Sequence, residues 1–238
     1  MDVRRFRADL YGLATRACKG DEHEVRSKVF AIADMLVGLY RKNLVKINHS
    51  ALELVCARGL IKQGYDVKVE HMLNRTLVCD VMGTRDDGSL IVEIETGFIP
   101  PEAALEPSNY ARARIASKIA RYSPFAGRFA LGTTRSYVLD VPYFFVKPPS
   151  DRSRAEAVQI KALTDVRYNK PPIQIEEFIR ARLDSIFLID VDTASTKQLD
   201  PTVYFETVSN LMDLHRALGL NPKRRPHELG FKLEEPAS

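Results

Sequence analysis

The spacing of hydrophobic positions changes along the chain, and this change separates helical from strand-like parts. In the first part, apolar side chains recur three and four positions apart, which is the period of an amphipathic helix. This pattern predicts helices over residues 2–18, 21–42 and 49–64. Gly64 provides the stop signal for the third of them.

From residue 65 onward the period becomes two, and Val, Ile and Leu dominate, as in strands. Asp87-Gly88 lies between two of these stretches and predicts a tight hairpin turn. A helix follows in the stretch 107–127, with Pro107 near its start and Pro124 closing it. The predicted strands cover 65–73, 75–84, 90–97, 128–134 and 141–148.

Beyond residue 148 the pattern is helical again, over 151–167, 174–188 and 201–218. The order of elements predicts an α/β protein with a mixed sheet of about five strands flanked by helices. The predicted division is an N-terminal helical extension (1–45), an α/β core (46–148), a C-terminal helical region (149–220) and a flexible tail (221–238).

Composition limits the class of protein. The chain has 238 residues, 45% of them hydrophobic and 28% charged, which suffices for one large core. The net charge of +4 is a mild excess that permits a polyanionic partner. No apolar run is long enough for a membrane span, and no signal peptide is visible. The three cysteines, Cys18, Cys56 and Cys79, are scattered along the chain, and we interpret them as reduced core thiols. We therefore expect a cytoplasmic protein.

The stretch "LIVEIETG" carries the first chemical signal, because Glu93 and Glu95 share one face of the predicted strand. If the hairpin turns on Asp87-Gly88, Asp80 lies opposite Glu95 and projects to that same face. The opposite face is apolar and is predicted to carry Leu77, Cys79, Val81, Val92 and Ile94.

Three carboxylates on one face repel each other and require compensation. A hard divalent cation such as Mg²⁺ binds oxygen ligands and would supply it. Alternatively the acids are solvated and neutralised by Lys68 or by nearby arginines. These residues alone leave both interpretations open.

Two flanking features add to the pattern. Glu53, in the helix before the first strand, places a fourth carboxylate within reach of the sheet. In the helix after Glu95, Arg114, Lys118 and Arg121 share a face, and Tyr122 flanks them. A cationic stripe beside an acidic cluster suits a phosphodiester held between a metal and basic side chains.

The order of elements and motifs resembles the PD-(D/E)xK nuclease superfamily over about residues 49–147. The matching features are a helix with Glu53, a strand hairpin with Asp80 and "EIE" at Glu93–Glu95, and a helix with "SKIARY". The superfamily has a restriction-endonuclease-like αβββαβ core, and archaeal Holliday junction resolvases and RecB-like nucleases are similar members. Two departures stand out. Cys79 replaces the proline before the motif aspartate, and Glu95 replaces the motif lysine. Lys118 is our candidate for a lysine that has moved to the neighbouring helix, where "KIARY" echoes the Gln-x-x-x-Tyr of RecB-like members.

The resemblance implies a metal-dependent endonuclease that hydrolyses DNA with Mg²⁺ (or Mn²⁺). Asp80 and Glu93 would bind the metal, and Glu53 would support them or complete a second metal site. Glu95 or Lys118 would orient or deprotonate the attacking water. The substrate-binding residues would be Arg114, Arg121 and Tyr122, and a homodimer is possible.

Two alternatives stay open. The missing motif lysine suits a nucleic-acid-binding protein whose catalysis has decayed on a nuclease-like fold. A helical scaffold or interaction protein, with the sheet acids merely solvated, is the other.

Overall fold

A computed structural model describes residues 2–217. Within them the helices are α1 (Val3–Ala17), α2 (His23–Arg41), α3 (Ile47–Lys62), α4 (Pro107–Tyr122), α5 (Tyr143–Val146), α6 (Arg154–Asp165), α7 (Ile175–Arg180) and α8 (Pro201–Ala217). The strands are β1 (Asp66–Met72), β2 (Val78–Arg85), β3 (Gly88–Glu95), β4 (Arg128–Thr134), β5 (Ser185–Asp190) and β6 (Ser195–Leu199). The predicted mixed α/β class is confirmed, with six strands instead of about five.

The six strands form one sheet in the order β1-β2-β3-β4-β5-β6. The pairs β1–β2, β2–β3 and β5–β6 are antiparallel, whereas β3–β4 and β4–β5 are parallel. A parallel pair needs a crossover between its strands, and α4 provides it between β3 and β4. The end of β3 therefore lies close to a helix that starts only twelve residues later.

Helices cover both faces of the sheet. One buried cluster joins α1, α2 and α3 to the face that carries Val81, Val92 and Ile94. A second cluster joins α4, α6 and α7 to the face that carries Ile91 and Leu131. The predicted N-terminal extension thus shares its core with the sheet instead of standing apart. None of the described helices is long and apolar enough to cross a membrane.

Two predicted elements differ from the structure. Residues 141–148, predicted as a strand, contain α5 instead, because Pro142 and Pro148 lack the N–H groups that a strand ladder needs. The predicted helix over 174–188 ends at Arg180, and β5 follows. The apolar run "SIFLI" pairs with β4 and fills the edge position that β4 would otherwise expose. The predicted tail, 221–238, lies outside the described residues.

The β2–β3 hairpin turns one residue earlier than predicted. Arg85 pairs with Gly88, so the two-residue loop is Asp86-Asp87, and Gly88 takes a φ of 132° that favours glycine. The guanidinium Nε of Arg85 donates a 2.7 Å hydrogen bond to Asp87 Oδ1 and fixes this turn. The new register moves each pairing by two residues, so within the paired part of the hairpin Val81 and Val92 still share a face, as predicted.

Candidate metal centre

The centre of the site is the point where β2 and β3 separate. Their backbone ladder ends at the pair Val81 and Val92. Beyond it, side chains take the place of backbone partners. The N–H of Asp80 donates to Glu93 Oε1 at 3.1 Å, and the N–H of Ile94 donates to Asp80 Oδ2 at 2.6 Å. Asp80 and Glu93 are therefore held against each other, in agreement with the shared face predicted for them.

Cys79 departs from the predicted face. It packs with Ile91 in the cluster under α4, whereas Val81 packs on the other side of the sheet with α3. Residues of the same parity in a regular strand would share one face. The backbone is therefore distorted at Asp80, where the ladder to β3 ends.

Lys118 joins the carboxylates into one cluster. Its ammonium Nζ lies 2.8 Å from Glu95 Oε1, 3.0 Å from Glu93 Oε2 and 3.5 Å from Asp80 Oδ2. It also donates to the carbonyl oxygen of Ile94 at 3.2 Å. The structure thus brings together the four predicted catalytic residues. Glu93 and Glu95 are buried, so these two acids are not solvated at the sheet surface.

The apolar side of α4 explains how Lys118 reaches the cluster. Ile115 and Ile119 are buried against the sheet, and each contributes about 1.5–3 kcal/mol through the burial of its side chain. This packing fixes the rotation of the helix, so Arg114 and Lys118, one turn apart, both face the end of β3. Arg114 donates through Nε to Glu95 Oε1 at 3.0 Å.

Helix α3 adds two further side chains, His49 and Glu53, which could bind a metal together with Asp80. His49 Nε2 lies 3.2 Å from Asp80 Oδ1 and 3.6 Å from Glu53 Oε1. One ligand atom from each of these three residues lies within 4.8 Å of the others. Glu53 is fully buried, and neither oxygen of its carboxyl group has a hydrogen-bond partner among the described residues.

A buried carboxyl group without a partner is costly unless something satisfies it. A divalent cation between His49, Glu53 and Asp80 would do so, with Glu93 adjoining through its bond to Asp80. Two carboxylates and one imidazole form a mixed donor set that several divalent metals accept. The residues present therefore fit a divalent metal.

The acids in this cluster differ in how firmly they hold a proton. Burial raises the pKa of Glu53 to about 10, helped by the charge of Asp80 and the carboxyl of Glu70. Burial, together with Asp80, raises the pKa of Glu93 to about 8, against the attraction of Lys118. Asp80 is the exception. Burial opposes its ionisation, but Lys118, His49 and the N–H of Ile94 hold its pKa well below the usual range.

An open cleft of about 580 Å³ leads to this cluster from solvent. Its walls include His49, Glu70 and Arg114, which belong to or adjoin the cluster, and the exposed side chains of Lys46 and Phe98. The cleft therefore opens beside the cluster, and His49 and Arg114 link its walls to the buried carboxylates.

Two predicted binding residues lie away from the cluster. Arg121 donates through Nε to Ser117 Oγ and through a terminal nitrogen to the carbonyl oxygens of Tyr168 and Pro171, so it fastens the segment between α6 and α7. Tyr122 is half-buried among the apolar residues under α4. Burial and the nearby charge of Glu93 raise its pKa. Neither side chain lines the cleft, so the prediction that they bind substrate finds no support in their positions.

Two residues of the site were missed by sequence reasoning. His49 carries a signal in its spacing of four from Glu53, which places both side chains on one face of α3. Glu70 gave no signal, because its approach to Glu53 depends on how β1 pairs with β2. Its φ of 47° is unusual for a residue other than glycine and marks a local break in β1 beside Asp80.

Comparisons with known proteins do not identify the chain. No family model matches it. No curated protein matches it. Among solved structures it is similar to the SPO1766 protein of unknown function from Silicibacter pomeroyi, at 14% sequence identity over 76% of this chain and 94% of that one. The TM-score is 0.31, so this likeness carries no argument about fold or function.

The buried Glu53 carboxyl group leads to a prediction about stability and pH. Between its ordinary pKa of 4.5 and its folded value of about 10, the folded protein keeps a proton that the unfolded chain has lost. Unfolding then releases a proton, so rising pH favours unfolding by up to about 1.4 kcal/mol per pH unit. In Glu53→Gln this loss is absent. In EDTA, the free energy of unfolding should fall between pH 5 and pH 9 in the wild type and fall less in the variant. The difference between the two decreases should be at least about 1 kcal/mol.

Urea denaturation at pH 5, 7 and 9 measures this difference. The matched control is Glu102→Gln, which changes an exposed glutamate of the 3₁₀ turn Pro101–Ala103 and should leave the pH dependence as in the wild type. Parallel pH profiles for Glu53→Gln and the wild type would contradict the assignment of a raised pKa to Glu53.

Proposed function

We propose that this protein is a metal-dependent nuclease that hydrolyses phosphodiester bonds of DNA. The observation that carries the proposal is the convergence of Asp80, Glu93 and Glu95 around Lys118, beside the buried carboxyl group of Glu53 and the imidazole of His49. Buried clusters of this kind cost folding free energy, which favours a role in chemistry over a role in stability.

The residues that would hold the metal are Asp80, Glu93 and Glu53, with His49 as an additional ligand. A divalent cation bound there would lower the pKa of a bound water and stabilise negative charge on the attacked phosphate. Asp80 is suited to this role, because its depressed pKa keeps it ionised at neutral pH.

The side chains of this protein would supply the remaining functions. The three carboxylates raise the pKa of Lys118 well above its usual value, although burial opposes them. Lys118 is therefore charged at neutral pH, and we assign it to stabilising charge and orienting the water, not to accepting a proton. Glu95, at 2.8 Å from Lys118 and 3.0 Å from Arg114, is the proposed base. Arg114 lines the cleft and would hold the flanking phosphate.

The position of Lys118 also offers an explanation for Glu95, which stands where a lysine is expected. The superfamily that this sequence resembles has a lysine at that point of the strand. Here the ammonium group comes from α4 and lies 3.0 Å from Glu93 Oε2, next to the carboxylates that the motif lysine accompanies. This supports the hypothesis that the lysine has moved to the neighbouring helix.

Binding of nucleic acid without cleavage is the second candidate. It is favoured by the ion pairs themselves, because Lys118 already compensates all three sheet carboxylates without a metal. Binding that weakens steeply with salt, with no product at any metal concentration, would establish it.

Cleavage assays on plasmid, single-stranded and branched DNA test the proposal. We expect products with Mg²⁺ or Mn²⁺ and none in EDTA. If no DNA form is cut at any concentration of either metal, the catalytic assignment is wrong.

A further inference from the structure

A solvent-exposed aromatic ring stands at the mouth of the cleft that leads to the carboxylates. Phe98 follows Glu95 by three residues, and 64% of its surface is exposed. Three residues of extended chain span at most about 11 Å, so the ring lies close to the end of β3. Leu44, also 64% exposed, lines the same cleft.

The backbone before Phe98 is fixed by close packing. Gly97 has a φ of 77°, and a Cβ added there would lie 2.4 Å from Cδ2 of the Tyr137 ring. Only glycine combines this backbone conformation with so close an approach. The segment is therefore held in place, and the exposed position of Phe98 is set by the fold.

Two cationic side chains, Lys46 and Arg114, line the same cleft as this ring. Lys46 and the polar Asn48 lie at the N-terminal end of α3, where the helix dipole favours an anion. Glu70 is the acidic residue among the lining groups, and burial raises its pKa. An apolar ring among cations fits a strand with stacking bases and a charged backbone.

We propose that the cleft takes single-stranded DNA, with an unpaired base stacked on Phe98 and the neighbouring phosphates held by Lys46 and Arg114. This inference rests on the proposed function and names its substrate form. A base inside a duplex has both faces covered by its neighbours and is not available to Phe98. A single strand, or the unpaired part of a branched or frayed end, presents such a base.

Binding of a fluorescent single-stranded oligonucleotide to the full chain tests this inference. All proteins carry Glu93→Gln, so that the strand stays intact in Mg²⁺. Replacing Phe98 by Ala should weaken binding about 5- to 100-fold, which is the range for loss of one stacked base, and Phe98→Trp should retain it. The matched control is Leu105→Ala, because Leu105 is 99% exposed on the segment that follows Phe98 and does not line the cleft.

A strand with abasic positions separates stacking from a general change in the surface. It should bind the protein with Phe98 intact and the Phe98→Ala protein equally, since it offers no base to stack. Equal affinity of both proteins for the strand with all its bases would overturn the inference. Tighter binding of the protein with Phe98 intact to blunt duplex than to single strand would overturn it as well.

The two proposals fail in different ways. If the protein with Glu93 intact cuts DNA and Phe98→Ala changes nothing, the nuclease assignment stands and the stacking proposal is wrong. If single strands bind through Phe98 but no form of DNA is cut, the stacking proposal stands and the nuclease assignment is wrong.

Discussion

Replacing Glu93 by Gln is expected to lower the rate of metal-dependent DNA cleavage by about 100-fold or more. The glutamine keeps the shape of the side chain and one oxygen acceptor, but it removes a carboxylate from the centre of the cluster. In the wild type, Oε1 accepts from the N–H of Asp80 and Oε2 faces Lys118 at 3.0 Å. The folded protein should tolerate the change, because burial already opposes the ionisation of Glu93 and raises its pKa to about 8.

The control for Glu93 is Glu102→Gln, which alters an exposed glutamate and should cleave like the wild type. Single-turnover rates, measured with the DNA form that the wild type cuts fastest, compare the two variants. The metal concentration must be varied for each, because a weakened site shifts the optimum. Wild-type rates for Glu93→Gln at every metal concentration would exclude Glu93 from the reaction.

Replacing Lys118 by Ala should raise the affinity for metal and lower the rate of cleavage. Its ammonium group lies 2.8–3.5 Å from oxygens of Asp80, Glu93 and Glu95, so it competes with a cation for these ligands. Without it, Mn²⁺ should bind at least about 10-fold tighter, because a nearby positive charge is removed from a partly buried site. Cleavage should nevertheless fall by about 100-fold, because the charge that orients the reacting groups is lost.

The metal-free form of Lys118→Ala should also be less stable, by about 3 kcal/mol at pH 8, because its buried carboxylates lose their partner. Calorimetric titration with Mn²⁺ and urea denaturation measure the two effects. The matched control is Lys161→Ala, since Lys161 pairs with Asp165 at 2.8 Å on α6 and is 25% exposed, but it lies outside the cluster. A parallel loss of metal affinity and cleavage would mean that Lys118 only maintains the fold.

The shared face of the carboxylates was predictable because of the alternation of a strand. A hairpin turn displaced by one residue shifts the pairing by two and preserves parity, so Glu93 and Glu95 share a face and both reach Lys118. Asp80 joins them at the break in β2, which alternation does not predict, and its carboxylate reaches both Lys118 and His49. Lys118 was predictable for a similar reason, since the buried Ile115 and Ile119 fix the rotation of α4.

Other features depend on long-range contacts that periodicity does not report. The run "SIFLI" in β5 is too short to distinguish from a helix until β4 offers it an edge. Glu70 joins the site only through strand pairing. Arg121 shares a helix face with Lys118 in sequence, but the segment between α6 and α7 supplies carbonyl oxygens that take its guanidinium group away from substrate.

The most direct test of the account is the position of Mn²⁺ in a crystal of the full chain soaked in that metal. Anomalous scattering locates the ion without assumptions about its ligands. We expect one strong peak within about 2.5 Å of a carboxylate oxygen of Asp80, with Glu53 or Glu93 also binding it and Lys118 displaced from Asp80. A site without manganese at saturating concentration, with Lys118 still paired to all three carboxylates, would contradict the claim that these acids converge to bind a cation.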